Sequence, residues 1–338
     1  MNNPAPVARC DDLRIALEST LPSAAAGGNL LLGFHFGANP PGEDLAALVS
    51  VGIDPIGRDD LYEYWWYRGQ VDYRQVGRAR IAECEDFAAI ILQAPDAPPD
   101  EFRALSREIY EELLAAVGQT GHRRLVRIWN YFSDINRGDG DAEKYRQFSV
   151  GRAEAFDAAG MTNEMVPAAT GIGCIRNANL SVIALASKHD FRKVENPRQV
   201  SAYRYPRDYG PRSPKFSRAG CVSLGDQRLI LISGTAAIVG HESLHADDVI
   251  LQCDETLNNL RKLGEIIGER EGLGVSAMLD ADSVVRVYIR DRADLEAVAQ
   301  RIGEFLGGNC DNVAFLHADI CRRELQVEID ATKTAVAL

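Results

Sequence analysis

Five short stretches of this 338-residue chain carry residue types that could do chemistry. The first, Leu325-Gln-Val-Glu-Ile-Asp-Ala331, alternates so that a strand would place Leu325, Val327 and Ile329 on one face and Gln326, Glu328 and Asp330 on the other. Helices are expected on the apolar face. The polar face is either solvated or lines a cleft between domains; in a cleft, desolvation would raise the pKa of Glu328 and make it a general acid near neutral pH. The second stretch, residues 198–218, sets Arg198, Arg204, Arg207, Arg212, Lys215 and Arg218 among Tyr203, Tyr205, Tyr209 and Phe216, with Asp208 as its single acid. Such a mixture suits single-stranded nucleic acid, a solvated loop, or a small carboxylate ligand held by arginine forks and tyrosine hydroxyls.

The other three stretches point away from metals and nucleotides. His241-Glu-Ser-Leu-His245 matches a zinc-protease pattern that works only when a helix brings both imidazoles to one side. Here Gly240 precedes it and helical periodicity starts near Ala246, so a loop and a helix start are expected instead of a metal site. Asp134-Ile-Asn-Arg-Gly-Asp-Gly-Asp141 resembles a calcium loop but has Asp139 where the sharp-turn glycine belongs, which favours a loop capping the next helix. Gly171-Ile-Gly173 lacks a third glycine in register and a following helix, so no dinucleotide site is expected.

Composition bounds the rest. With 46% hydrophobic and 25% charged residues, the chain is globular, and its length favours two domains of about 150 residues each. A net charge of −12 disfavours nucleic acid and anionic membrane, so an anionic ligand needs a local basic cluster. No stretch reaches the roughly 18 apolar residues of a membrane span, and the N-terminus lacks a basic head followed by an apolar core. Seven dispersed cysteines without a Cys-x-x-Cys pair read as reduced thiols, and a cytoplasmic location is expected.

Elements that could position these residues recur along the chain. Residues 228–234 read as a buried strand, 246–263 as a helix with apolar residues at the 3.6 period, 283–289 as a strand, 293–306 as a helix, and 313–316 and 325–331 as strands. The N-terminal half has the same order: strand 87–92, helix 102–117, strand 125–129, helix 142–156 and strand 180–188. Laying 180–188 on 325–333 matches Leu180 with Leu325, Val182 with Val327, Ala186 with Ala331 and Lys188 with Lys333. This implies an internal duplication in which Ile183 stands where the second copy has Glu328. The working site then belongs to the second domain, with domains at 1–190 and 191–338.

Several longer stretches resemble the chorismatase family: Arg127-Ile-Trp-Asn-Tyr-Phe-Ser-Asp-Ile-Asn136, Tyr145-Arg-Gln-Phe-Ser-Val-Gly-Arg-Ala-Glu-Ala-Phe156, Gly210-Pro-Arg-Ser-Pro-Lys-Phe-Ser-Arg-Ala219, Ser233-Gly-Thr-Ala-Ala-Ile-Val-Gly-His-Glu-Ser243 and Cys321-Arg-Arg-Glu-Leu-Gln-Val-Glu328. Each half also resembles, more distantly, the YjgF/RidA fold. The resemblance implies an α+β protein of two tandem YjgF/RidA-like (chorismate-mutase-like) domains, each a mixed sheet with two helices on one face.

It further implies cofactor-free cleavage of the enolpyruvyl ether of chorismate, with Glu328 as the acid that protonates the methylene carbon. Chorismate has two carboxylates; Arg212 with Tyr203, Tyr209 and Phe216 is expected to bind them. Arg146, Ser149 and Arg152 are expected to join from the first domain's second helix. Gly240 and Cys321 match the branch of the family that makes 3-hydroxybenzoate and pyruvate. A branch with alanine and valine there hydrolyses chorismate to a dihydroxycyclohexadiene carboxylate, which is the alternative activity. Non-catalytic binding of a small metabolite on a RidA-like scaffold is a further alternative. Two such copies in one chain can satisfy each other's exposed faces, so a monomer is expected.

Overall fold

The structure, a computed structural model, describes residues 8–10, 12–21, 28–38, 45–174, 179–308 and 310–337. Two copies of one α+β unit follow each other. The first runs β1 (Asp72–Val76), β2 (Ala79–Glu83), β3 (Phe87–Ala94), α1 (Pro99–Gly118), β4 (Arg124–Ser133), α2 (Lys144–Ala158), β5 (Ala168–Cys174) and β6 (Leu180–Ser187). The second runs β7 (Phe191–Val194), β8 (Ala219–Leu224), β9 (Gln227–Thr235), α3 (Val249–Glu271), β10 (Val284–Ile289), α4 (Leu295–Leu306), β11 (Val313–His317) and β12 (Val327–Val336). Spatial order is the same in both sheets, β5-β4-β6-β3-β2-β1 and β11-β10-β12-β9-β8-β7, with only β4–β5 and β10–β11 parallel. Short strands close the outer edges: Asp319–Ile320 pairs with β5, and Asp54–Pro55 pairs with β11.

Backbone register aligns the copies residue by residue. Arg127 opposes Leu185 and Trp129 opposes Ile183 across β4–β6; Arg286 opposes Asp330 and Tyr288 opposes Glu328 across β10–β12. Ile183 and Glu328 are therefore equivalent positions. In each copy the two helices cover one face of the sheet, α1 and α2 over Ile90, Ile128 and Val182, and α3 and α4 over Ile232, Val287 and Ile329. Asp248 starts α3 by accepting a hydrogen bond from the Leu251 N–H at 2.9 Å, and Gly272 ends it at φ +66. This helix runs eight residues beyond the expected Leu263 because Gly264 and Gly268 let Met278 and Gly274 pack directly on its backbone.

Sequence patterning does not reveal a third sheet, built by Ala8–Cys10, Leu13–Glu18, Asp60–Tyr67, Asn29–Gly37 and Leu48–Ser50 in spatial order. Its Phe34, Phe36 and Trp65 share one central core with Ile91, Trp129 and Ile183 of the first copy and Leu231, Tyr288 and Leu316 of the second. Its two longest strands, Asn29–Gly37 and Asp60–Tyr67, are buried along nearly their whole length, which removes the alternation that marks a half-exposed strand. Among the described residues, no helix is long and apolar enough to cross a membrane.

A buried ion pair joins the three sheets. Arg286 donates from Nε and Nη2 to both oxygens of Glu63 at 2.7 Å, and from Nη1 to the Tyr131 hydroxyl at 2.9 Å, with its guanidinium 4.0 Å from the Phe34 ring centre. Trp65 Nε1 also donates to Glu63, at 2.7 Å. Both charged side chains are 2% exposed, so loss of one strands the other in a medium of low dielectric. Glu63→Gln is expected to lower stability in urea denaturation by about 3–5 kcal/mol, and adding Arg286→Met to recover much of it. A single variant as stable as the parent protein would contradict this account.

Candidate active site

A cavity of about 330 Å³ opens between the copies. The first copy contributes α2 and β5, through Tyr145, Arg146, Phe148, Arg152, Thr170 and Gly171. The second contributes residues 205–218, β9, residues 321–324 and, from the polar face of β12, Glu328. That polar face is buried against the first copy and is not solvated.

Room for Glu328 comes from a local irregularity. The β9–β12 pairing slips by one residue between Ile232 and Thr235, whereas the equivalent β3–β6 pairing of the first copy runs without a slip. Gly234 lies in the bulge, and a Cβ there would run into the Glu328 carboxyl. Only the second copy therefore has both a carboxyl at this position and a pocket in the ladder to hold it.

Glu328 is 5% exposed. Burial pushes its pKa up to about 8; the charge of Asp330 adds to the rise, and Arg127 opposes it. Its hydrogen-bond partner among the described residues is the thiol of Cys321, 3.9 Å from Oε2. That thiol is itself pushed up by burial and stays neutral. At neutral pH the site thus holds a protonated carboxylic acid facing a cavity.

Several polar groups next to the acid are bound to one another, although Nε and Nη1 of Arg127 are buried without a hydrogen-bond partner among the described residues. Arg127 Nη2 donates to Thr170 Oγ1 at 2.6 Å and lies 3.1 Å from Asp330 Oδ2. The Gly234 N–H donates to the same Thr170 hydroxyl at 3.0 Å, and that hydroxyl donates to Asp330 at 2.9 Å. The Tyr288 hydroxyl completes the set by donating to Asp330 at 3.1 Å.

Arg152, Arg218 and Arg322 make no ion pair among the described residues, and Nε of Arg152, Nε of Arg218 and Nη2 of Arg322 are buried without a hydrogen-bond partner. Arg218 is held by the Val200 carbonyl at 2.9 Å and the Tyr205 hydroxyl at 2.6 Å. Arg322 is held by the His241 carbonyl and Ser243 Oγ, both at 2.9 Å, and lies 4.0 Å over the Tyr209 ring. Three fixed, unneutralised guanidinium groups around one cavity suit a ligand with more than one carboxylate.

Of the residues singled out from sequence, Glu328, Cys321, Tyr209, Phe216, Arg146 and Arg152 line this cavity. Arg212 does not; its guanidinium pairs with Asp157 at the surface. Tyr203 accepts from Lys193 at 3.1 Å, also outside the lining. Ser149 is buried in α2 without lining the cavity. Gly240 sits at φ +61 in the two-residue turn between Ile238–Val239 and Glu242–Ser243, where a Cβ would meet nothing within 4 Å. The same hairpin places His241 in a turn and leaves His245 at φ +56, so the two imidazoles do not share a helical face. Among the described residues no cluster of His, Cys, Asp and Glu could hold a metal ion.

Sequence reasoning missed Tyr145, Thr170, Arg218, Gly234 and Arg322 as site residues. Arg218 lay within the basic stretch, and Arg322 follows Cys321. Thr170 and Gly234 carried no local signal, since their roles arise from pairing between distant strands.

Comparison with known proteins follows this geometry. The family model described as "Chorismatase FkbO/Hyg5-like, N-terminal" matches residues 63–186. The chain is 37% identical over 278 residues to a chorismatase of Streptomyces rapamycinicus, covering 80% of this chain and 82% of that protein. It is 35% identical over 246 residues to a 3-hydroxybenzoate synthase of Streptomyces hygroscopicus, covering 69% and 70%. A crystal structure of a chorismatase superposes with a TM-score of 0.84 at 30% identity, covering 95% of this chain and 98% of that one. The chain belongs to the chorismatase family.

Proposed function

We propose that this protein converts chorismate to 3-hydroxybenzoate and pyruvate, with Glu328 as the catalytic acid. The observation that carries the reading is a carboxyl kept protonated by burial, at the wall of a cavity ringed by arginines without carboxylate partners. The two substrate carboxylates pair with these guanidinium groups, which orients the enolpyruvyl ether toward Glu328.

A vinyl ether is activated by protonation of its methylene carbon. Glu328 gives that proton and an oxocarbenium ion forms at the ether carbon. The neighbouring ring hydroxyl attacks the ring carbon, the bond to the ether oxygen breaks, and pyruvate leaves. The attacking hydroxyl returns a proton to the Glu328 carboxylate, which restores the acid. The resulting epoxide opens and loses a ring proton to become aromatic. All atoms of chorismate end in the two products, so no water is consumed.

The product depends on keeping water from the cation. Cys321 touches Glu328 directly and lines the cavity, whereas Gly240 acts from the adjoining hairpin, whose His241 carbonyl holds Arg322. We further read the chain as a cytoplasmic monomer with two domains meeting near residue 190, in the connection between β6 and β7. In support, the helix-free faces of both sheets are already covered within one chain, and no disulfide links the described cysteines.

Incubation with chorismate, without added metal or nucleotide, is expected to yield equal amounts of pyruvate and 3-hydroxybenzoate by enzymatic assay and liquid chromatography. A non-aromatic diol would assign the hydrolytic branch, and binding without pyruvate release would assign a binding protein. Glu328→Gln is expected to abolish turnover and keep the fold.

The pH dependence has a definite sign. Because the folded-state pKa of Glu328 is raised above its unfolded value, kcat/KM should be flat near neutrality and fall about tenfold per pH unit above pH ~8. The same displacement makes the parent protein lose stability between about pH 4.5 and pH 8, at about 1.4 kcal/mol per pH unit. Thermal melts at pH ~9 should therefore show Glu328→Gln more stable than the parent, and melts at pH ~5 should show little difference. Cys321→Val with Gly240→Ala should move the product toward the diol, with most of the change already present in Cys321→Val alone. An unchanged product ratio would place control elsewhere.

A further inference from the structure

Beyond the acid itself, the donors next to it are arranged in an unusual way. Three donors converge on the corner beside Glu328: the Arg127 guanidinium from β4, the Thr170 hydroxyl from β5 and the Gly234 N–H from the bulge in β9. Each could donate to a carboxylate, and a carboxylate that accepts two or three such bonds is strongly acidic. None of them goes to Glu328. Arg127 and Gly234 donate to Thr170 Oγ1, which exhausts its acceptor capacity, and its one proton goes to Asp330.

Asp330 is 3% exposed, accepts from the Thr170 and Tyr288 hydroxyls and lies 3.1 Å from Arg127 Nη2, whereas Nε and Nη1 of Arg127 are buried without a hydrogen-bond partner among the described residues. We propose that Asp330 is a positioning residue that, by accepting from the Thr170 hydroxyl and pairing with Arg127 Nη2, keeps these two donors off Glu328 and thereby keeps the acid protonated between turnovers. The inference rests on the reading of Glu328 as the acid. The first copy supports the assignment, since it has Ile183 and Leu185 where the second has Glu328 and Asp330, so the acid and its neighbour occur together.

Other groups facing Glu328 leave Asp330 as the decisive one. Cys321 offers a weak thiol contact, Tyr145 faces it from α2, and Arg218 approaches from the bend immediately before β8. Arg218 is tied to Val200 and Tyr205, and so does not reach the carboxyl.

An atomic-resolution crystal structure of the unmodified protein near pH 7 tests the charge assignment without any substitution. Unequal C–O bonds in Glu328 and equal ones in Asp330 are expected; equal bonds in Glu328 or unequal ones in Asp330 would overturn the proposal. Asp330→Asn should release Arg127 and Thr170 toward Glu328, and lower the alkaline limb of kcat/KM by about one pH unit or more. Thr170→Ser, which keeps the hydroxyl, should leave the limb in place. A limb that does not move in Asp330→Asn would also refute the inference. Turnover in Glu328→Gln would instead refute the underlying reading of the acid, so the two failures are distinguishable.

Discussion

The burial of one uncompensated carboxyl is the constraint on which this molecule turns. A carboxylic acid in water is ionised at neutral pH and is useless as a proton donor to carbon. Glu328 stays protonated because it is removed from solvent while the Thr170 hydroxyl and Arg127 Nη2 bind elsewhere. Desolvation alone raises a pKa, but donors bound directly to the carboxylate would oppose the effect. The polar network beside the acid is therefore as necessary as its burial.

Duplication explains how such a site is built. A single sheet with two helices leaves its other face exposed, and two copies with a third sheet close three such faces into one core. The copies then diverge in function. The second keeps the acid and acquires a bulge opposite it; the first has isoleucine at that position and instead supplies the wall, through α2 and Thr170. Arg127 and Arg286, equivalent in the two sheets, pair with different acids: Asp330 beside the site, and Glu63 of the third sheet. One pair shields the acid and the other fastens the scaffold.

Much of this was legible in the sequence, and the reasons for the rest are physical. The repeated strand and helix order, the equivalence of Ile183 and Glu328, and the alternation that exposed Glu328 all reflect local periodicity. The third sheet escaped because its strands, such as Asn29–Gly37, are buried on both faces and do not alternate. Helix α3 was cut short at Gly264 because a glycine that permits close packing looks, in one dimension, like a stop. Arg212 drew attention by its basic surroundings, yet its partner Asp157 lies on the helix of the other copy. Which arginine is free and which is paired is a property of tertiary contacts.

A chain of net charge −12 repels a dianion at long range, so on the proposed reading binding depends on short-range contacts with Arg152, Arg218 and Arg322. Of these cations, Arg218 also favours the ionised form of Glu328. When ligand carboxylates neutralise them, that pull disappears, and two negative charges replace it near the acid. Protonation of Glu328 and binding of a dicarboxylate are therefore mutually reinforcing: by linkage, each favours the other by the same free energy. With Glu328 as the proposed acid, the substrate thus helps to maintain the protonated group that its own activation requires.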